Sequence, residues 1–253
     1  MRRVPDPLHF DAHADVYARA RPPYPQELWA WLTGHGLLGP GTRVIELGAG
    51  SGQATGPMLA VGAAVTAVEP GPALAARLRA ACPAATVRVG TAESVTLPDA
   101  AYDLAVAATS VHWLDLDVVL PALHRALVRG GRLAVWRNAF GDPTAPVTPF
   151  RERVAEIVAR RGPDRARPGP GELDDAAWVE RLTAGNRFVA VAVEEFRWSV
   201  DLATEQVRDL FTTFSDWEPG EVAEAARAVV ELGGHVVEHY VTPLIVLDRV
   251  DAP

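Results

Sequence analysis

The sequence predicts an α/β fold: a doubly wound, mostly parallel sheet covered by helices on both faces. Three observations predict it. Between Arg43 and Asn138, short apolar runs alternate with helical stretches, the rhythm of repeated βα units. The runs are apolar throughout rather than at every second residue, as in strands buried on both faces. The first of them runs directly into a glycine-rich turn, Gly48-Ala-Gly-Ser-Gly52, which opens a helix.

The elements follow in order. Residues 1–40 carry the turn signal Arg21-Pro-Pro-Tyr-Pro25 between two helices, Asp11–Ala20 and Pro25–Thr33. Arg43–Leu47 is the first strand. The next helix, Ala54–Val61, tolerates Pro57 only in its first turn, where no backbone N–H is needed. Strand Ala64–Glu69, helix Pro72–Ala81 and strands Thr86–Val89 and Tyr102–Ala107 continue the pattern. Helix Leu116–Leu127 carries Pro121, and Gly131–Trp136 is the fifth strand. The rhythm then breaks, because Gly141–Gly171 contains six prolines. Gly141–Gly185 therefore reads as an insertion with helices Thr148–Arg161 and Asp174–Ala184. Strand Arg187–Val200, helices Thr204–Ser215 and Pro219–Leu232 and strand His239–Arg249 complete the chain. One domain of 253 residues accounts for all of it.

Composition narrows the function. The net charge is −8, the wrong sign for a protein that coats nucleic acid. All 24 basic residues are arginine, so no Schiff-base or P-loop lysine exists. Cys82 is the single cysteine, which excludes an intrachain disulfide and a cysteine-based zinc site. The histidines outside the core motif (His9, His13, His35, His124, His235 and His239) lack ligand spacing, so no metal is expected. The stretch from Gly48 to Val68 is uncharged, but five glycines and Pro57 interrupt it, so it is no membrane span. With no apolar leader at the start, a cytoplasmic protein is expected.

The glycine loop carries the sharpest signal. Its spacing is G-x-G-x-G, with Gln53 where a dinucleotide fingerprint needs its third glycine. No Gly-Lys-Ser/Thr follows, so it is no P-loop either. This favours a nucleoside-bearing ligand that sets no pyrophosphate on the helix. Glu69 ends the second strand beside the loop, where its carboxylate can accept hydrogen bonds from two ribose hydroxyls. The alternative is a solvated loop carboxylate.

The stretch from Val44 to Trp136 resembles the class I S-adenosylmethionine-dependent methyltransferases. The resemblance is strongest to the small-molecule branch that includes trans-aconitate methyltransferase-like proteins. It rests on VIELGAGSGQAT, AVTAVEPGPAL, VGTAESVTLPDAAYDLAVAATSVHWLD and LVRGGRLAVWRN, together with Tyr17-Ala-Arg-Ala-Arg-Pro-Pro-Tyr-Pro25. It implies a Rossmann-like, seven-stranded sheet with an antiparallel last strand, and S-adenosylmethionine as cofactor. It also implies a division into an N-terminal helical lid (1–40), a cofactor-binding core (41–140), a cap insertion (141–185) and a segment completing the sheet (186–253). By the same resemblance, Glu46 and the backbone of Gly48 and Gly50, with Ala49 between them, hold the methionine end. Glu69, followed by Pro70, takes the ribose; the Ala92 backbone and Glu93 lie beside the adenine; the Thr109 carbonyl meets the amino group. Tyr17 and Arg21 fold over the cofactor, with Arg21 on its carboxylate. Two departures touch these contacts: Thr91 stands where many relatives have Asp, and Thr109-Ser110-Val111 where close relatives have Gln-Ala-Phe.

Methyl transfer from a sulfonium needs alignment and exclusion of water, and a base only where the nucleophile must lose a proton. His112 is the candidate base, against a packing role under the cofactor. Trp113, Trp136 and Asn138 are candidate substrate residues, being at or near the carboxyl edge where open α/β sheets bind ligands. The arginines at 151, 153, 160, 161, 165 and 167 are either a solvated face or an anion-recognition cluster. The expected acceptor is a small molecule, such as a carboxylic acid or a secondary metabolite, with O-, N- and C-methylation all open. Two other readings remain: a non-methylating enzyme on the same fold, and a cofactor-binding module acting through a protein partner.

Overall fold

The structure is a computed structural model and describes residues 10–161 and 170–251; His9, Arg165 and Arg167 lie outside them. A 3-10 turn (Asp11–His13) leads into α1 (Ala14–Ala20) and α2 (Gln26–Gly34). The core follows as β1 (Arg43–Leu47), α3 (Thr55–Ala60), β2 (Ala64–Glu69), α4 (Pro72–Ala81), β3 (Thr86–Val89) and β4 (Tyr102–Ala108). A 3-10 turn at Val111–Trp113 precedes α5 (Leu116–Ala126), β5 (Leu127–Trp136) and the short β6 (Ala139–Phe140). Then come α6 (Pro149–Ala159), α7 (Asp175–Thr183), β7 (Phe188–Ala203), α8 (Thr204–Thr212), α9 (Pro219–Glu231) and β8 (His235–Arg249).

The strands form one sheet. β3, β2, β1, β4 and β5 lie side by side and parallel. β8 joins antiparallel to β5 and is paired along its whole length by β7 on its other edge. β5 and β6 share the first edge of β8, at Leu244–Asp248 and Tyr240–Val241. Pro243, with no N–H to donate, sits at the break between them. The sheet thus has seven lateral positions with an antiparallel last strand, as the motifs imply; β6 was not expected. Strand order reverses between β1 and β4, which creates a crevice at their carboxyl ends.

Two apolar layers hold the sheet. On one face, Leu120 and Leu123 of α5 and Trp178 and Leu182 of α7 pack on Ile45, Ala105 and Leu133. On the other, Leu28 and Leu32 of α2, Met58 of α3 and Leu78 of α4 pack on Val44, Val65 and Leu104. A third cluster lies beyond the sheet, where Phe150 and Val154 of α6, Val207 and Phe211 of α8 and Val222 of α9 meet Leu202 and Val236. These last two belong to the far end of the β7–β8 ribbon. The ribbon is longer than the sequence suggested, running to Ala203 and starting at His235. Its overhang is covered by the helical cluster rather than by the sheet's own helices, so the apolar pattern around it does not read as a strand.

The expected insertion, 141–185, does not pack as one unit. α6 joins α8 and α9, while α7 lies on the main sheet beside α5. The arginines on and just after α6 serve this packing: Arg160 pairs with Glu224, Arg161 with Glu221 and Asp216, and Arg153 with Glu231. Among the described residues, no helix is long and apolar enough to cross a membrane.

Candidate active site

The site begins with the turn after β1. Gly48, Gly50 and Gly52 have φ of 70°, 58° and 102°, conformations that cost a side-chain-bearing residue strain. A Cβ on Gly48 would stand 2.6 Å from that of Ser110, and one on Gly52 would stand 2.9 Å from Leu78. The N–H groups of Gly48 and Ala49 both donate to the Val68 carbonyl, so the loop is tied across to β2.

Glu69 completes the tie. Its two carboxylate oxygens accept from the N–H of Gly50 at 2.8 Å and of Gly71 at 2.9 Å. Burial pushes its carboxyl above the usual range, against the pull of those two donors. Each oxygen keeps a further lone pair for a ligand hydroxyl.

Glu46, on β1, is buried and accepts from the Thr55 hydroxyl at 2.6 Å. Burial pushes its carboxyl up to about 8. At the end of β4, Thr109 holds φ of 57°, which is costly for a β-branched residue. The surroundings fix it there: its N–H donates to the Trp136 carbonyl at 2.7 Å, and its hydroxyl bonds that of Tyr24 at 2.8 Å. Backbone held so at a sheet's carboxyl edge marks a ligand-facing position.

Two cavities with shared walls lie here. The inner one, about 40 Å³, lies between the glycine loop (Glu46, Gly48, Ala49) and Tyr17, Arg21 and Tyr240. The outer one, about 450 Å³, has aromatic walls from Phe10, Trp113, Phe214 and Trp217, with His112 and Arg137 also facing it. Both share Tyr17, Arg21, Thr109, Asn138, Phe140 and Phe214. Tyr17 lies over the loop, within 3.4 Å of where a Cβ on Gly50 would be. The Arg21 guanidinium lies over the rings of Tyr17 and Phe214 and donates to the Thr213 carbonyl at 2.8 Å, while its buried Nε has no hydrogen-bond partner among the described residues.

The structure thus gathers Tyr17, Arg21, Glu46, Gly48, Ala49, Thr109, His112, Trp113 and Asn138 around the cavities. Gly50, Glu69, Pro70, Ala92 and Glu93 line neither. Gly50 and Glu69 are bonded to each other, Ala92 is buried, and the Glu93 carboxylate accepts from the Asp115 N–H. Trp136 needs correction as a substrate residue. Its ring is fully buried on the α2 face of the sheet, edge-on to Tyr24 and Trp29, and lines neither of these cavities. Asn138 does line both cavities, but its amide is occupied. Its oxygen accepts from the Thr242 hydroxyl, and its nitrogen donates to the carbonyls of Pro22 and Pro23.

Sequence reasoning missed Arg137 and Tyr240. Arg137 had a signal, a charge directly after an apolar strand. It is buried against Trp178, donates to the Glu172 carbonyl and faces Asp175. Tyr240 had none, lying in a strand with no motif.

Residues 45–135 match the family model of the methyltransferase domain. An uncharacterized methyltransferase of Mycobacterium tuberculosis is 32% identical over 208 residues, covering 82% of this chain and 77% of the relative. An uncharacterized methyltransferase-like protein of Schizosaccharomyces pombe is 28% identical over 200 residues, covering 79% of this chain and 74% of the relative. Among solved structures, a protein of Anaeromyxobacter dehalogenans provisionally assigned as a type II methyltransferase has a TM-score of 0.59 at 25% identity, covering 90% of this chain and 97% of that one. A geranyl diphosphate methyltransferase in complex with GPP and sinefungin shares the fold, with a TM-score of 0.50 at 20% identity over 88% of this chain and 77% of that one. Relatives over four-fifths of the chain, a matching core and a glycine loop clamped by Glu69 at the switch point agree: the chain belongs to the class I S-adenosylmethionine-dependent methyltransferases.

Proposed function

We propose that the protein methylates a small-molecule acceptor in the cytoplasm. By the Tyr17–Pro25 motif we place it in the branch of trans-aconitate methyltransferase-like proteins, with a carboxylic acid or a secondary metabolite as acceptor. The observation that carries this reading is the outer cavity of about 450 Å³, which shares six lining residues with the inner pocket beside the glycine loop. That volume suits a small molecule, and its aromatic walls suit an apolar body.

The residues present fit the cofactor. Glu46 and Arg21 line the inner pocket, giving complementary partners for an ammonium and a carboxylate at the methionine end. Glu69 keeps lone pairs for the ribose, and Ala92 and Glu93 follow at the next strand's edge for the adenine. When bound, S-adenosylmethionine supplies a methyl group on a sulfonium, whose departure needs no further activation. The chain's own work is alignment and exclusion of water. Phe10, Tyr17 and Phe214 close the space above the loop, with the N-terminal segment as lid. Trp113 walls the acceptor, and Asn138 anchors the segment that carries Tyr17 and Arg21. His112 faces the cavity from the turn after β4 and is placed to take a proton from an acceptor that must lose one.

Calorimetry tests the reading first: S-adenosylmethionine and S-adenosylhomocysteine are expected to bind, and NAD is not. Carboxylic acids, phenols and amines are then offered with S-adenosylmethionine, and S-adenosylhomocysteine release is scored. NAD binding in place of S-adenosylmethionine would overturn the site. Tight cofactor binding with no turnover across the panel would favour a binding module.

A further inference from the structure

We propose that Arg137 determines acceptor specificity: in the outer cavity, its guanidinium pairs with a carboxylate carried by the acceptor molecule. The proposal rests on the methyltransferase reading above and adds to it the acceptor's charge and the residue that reads it.

Arg137 directly follows β5 at the carboxyl edge of the sheet. It lines the outer cavity and not the inner one, so it stands on the acceptor's side of the site rather than the cofactor's. Its side chain is only 5% exposed. A cation so buried needs its charge and its N–H groups answered from nearby, and the surroundings answer only in part. Nε donates to the Glu172 carbonyl. Nη2 stands 3.5 Å from a carboxylate oxygen of Asp175, yet no hydrogen bond joins them, and both atoms are closed off without a partner among the described residues. Nη1 hydrogen-bonds nothing among the described residues either, but it keeps accessible surface, so it is the nitrogen open to a ligand. The guanidinium is held in this place. It lies over the Trp178 ring, 5.2 Å from its centre, and the Trp178 indole N–H donates to the Gly171 carbonyl at 3.0 Å. The two side chains thus hold successive carbonyls of the segment that walls the cavity, and Arg137 cannot swing away without releasing that wall.

Charge points the same way as geometry. Burial weighs against the Arg137 charge more than Asp175 and Glu172 support it, so its pKa falls below the ordinary arginine value. Asp175 is in turn raised by burial against the pull of Arg137. The pair leaves the guanidinium under-compensated, and an anion in the cavity supplies what is missing. Glu172 and Asp216 line the same cavity, and Asp216 is paired with Arg161 at 3.1 Å. Their negative charge opposes a dianion more than a monoanion, so a single carboxylate fits better than a phosphate. With the cofactor bound, Arg21 is engaged by its carboxylate and Arg137 is left to the acceptor. The aromatic walls then hold the acceptor's apolar body.

The unaltered protein gives the first test. Saturated with S-adenosylhomocysteine, so that Arg21 is occupied, it is titrated by calorimetry with phenylacetate, phenylacetamide and phenethylamine, which match in ring and length and differ in charge. Phenylacetate is expected to bind at least about tenfold more tightly than either of the others. Equal affinity for phenylacetate and phenylacetamide, tighter binding of phenethylamine, or no binding of phenylacetate would each overturn the proposal. Two variants then separate recognition from a structural role. Asp175→Asn removes the competing carboxylate and is expected to bind phenylacetate at least as tightly as the unaltered protein. Arg137→Gln combined with Asp175→Asn removes both charges and leaves neither buried alone. This double variant is expected to lose the preference for phenylacetate over phenylacetamide while its S-adenosylhomocysteine affinity stays within about twofold of the original. A double variant that keeps the preference, or an Asp175→Asn variant that loses it, would show that Arg137 does not read the anion. Failure of S-adenosylhomocysteine itself to bind the unaltered protein would instead overturn the reading of the site, and the proposal with it.

Discussion

Glu46 is a carboxyl whose proton is set by its surroundings. Burial holds it up to about 8, so at neutral pH it is mostly protonated beside Thr55. In the proposed function it meets the ammonium of the cofactor's methionine end, and a positive charge at that distance favours the ionised form. Binding S-adenosylhomocysteine at pH 7 is therefore expected to release close to one proton, with affinity rising as pH approaches 8. Calorimetry in buffers of different ionisation heat measures this. Glu46→Gln is expected to abolish the release, and zero release by the unaltered protein would count against the contact. At this scale, the sequence was most legible where chemistry and backbone coincide. Gly48 and Gly50 stand in one motif and Glu69 in the next, because the loop needs both the conformational freedom and the clamp. Trp136 was misread because position at a strand end does not say which face a side chain takes. It points into the α2 layer, and the next residue, Arg137, faces the cavity.

Among the elements, the N-terminal segment repays attention to how it is held. α4 is preceded at its N-cap position by Gly71, which has no side chain to cap it. The cap comes from elsewhere in the chain: the Asp11 carboxylate accepts from the N–H groups of Ala73 and Leu74 at 2.8 and 3.0 Å. The surface pairs Arg19–Asp209 and Asp15–Arg77 are exposed and screened, and contribute little. Asp11→Ala is expected to destabilise the protein by about 1 kcal/mol and to speed hydrogen exchange over residues 10–20 and the first turn of α4. Arg19→Ala is expected to leave exchange there nearly unchanged. If the two variants exchange alike, the cap is not what seats the segment. The helices themselves were legible as helical stretches, and the starts expected at Thr148 and Asp174 are the residues whose side chains cap α6 and α7. Their partners were not. Nothing in the apolar stripe of α6 says whether it will pack on the sheet or on α8 and α9, since either surface buries it.

For the molecule as a whole, the buried carboxyls set how stability responds to pH. Glu46 is raised to about 8 and Glu238 to about 7, both chiefly by burial. Each folded-state value lies above that of the unfolded chain, so the folded state holds these protons longer. Their contribution is fully present below the unfolded value near ~4.3 and is lost as pH rises toward 7 to 8. Asp103, held low by Arg43, acts in the opposite sense, and its contribution is lost as the solution is acidified. The melting temperature is therefore expected to fall by at least about 5 °C between pH 5 and 8.5. In the double variant Glu46→Gln, Glu238→Gln, the curve is expected to be flatter. A melting temperature that rises over this range would show that the two carboxyls ionise freely in the folded protein. The sheet's mostly parallel class was legible from the βα rhythm, and its antiparallel last strand from the family resemblance; the order of the strands was not read from the sequence. The ribbon overhang was not, because its cover comes from helices distant in sequence.

The place of β8 also has a consequence for the order in which the molecule is made. Among the described residues, β7 pairs only with β8, and β5 has no neighbour on that side but β8. Yet α8 and α9 are synthesised between β7 and β8. A growing chain that has reached α9 thus presents two bare strand edges, one of them beside exposed Val189, Val191 and Val193. Neither edge can be paired in the native way until the residues from His235 onward emerge from the ribosome. Assembly from the amino terminus can prepare the first five strands, but closing the sheet is a late event that inserts a strand between two waiting ones. A nascent chain stalled just short of that point is the form most exposed to edge-to-edge association.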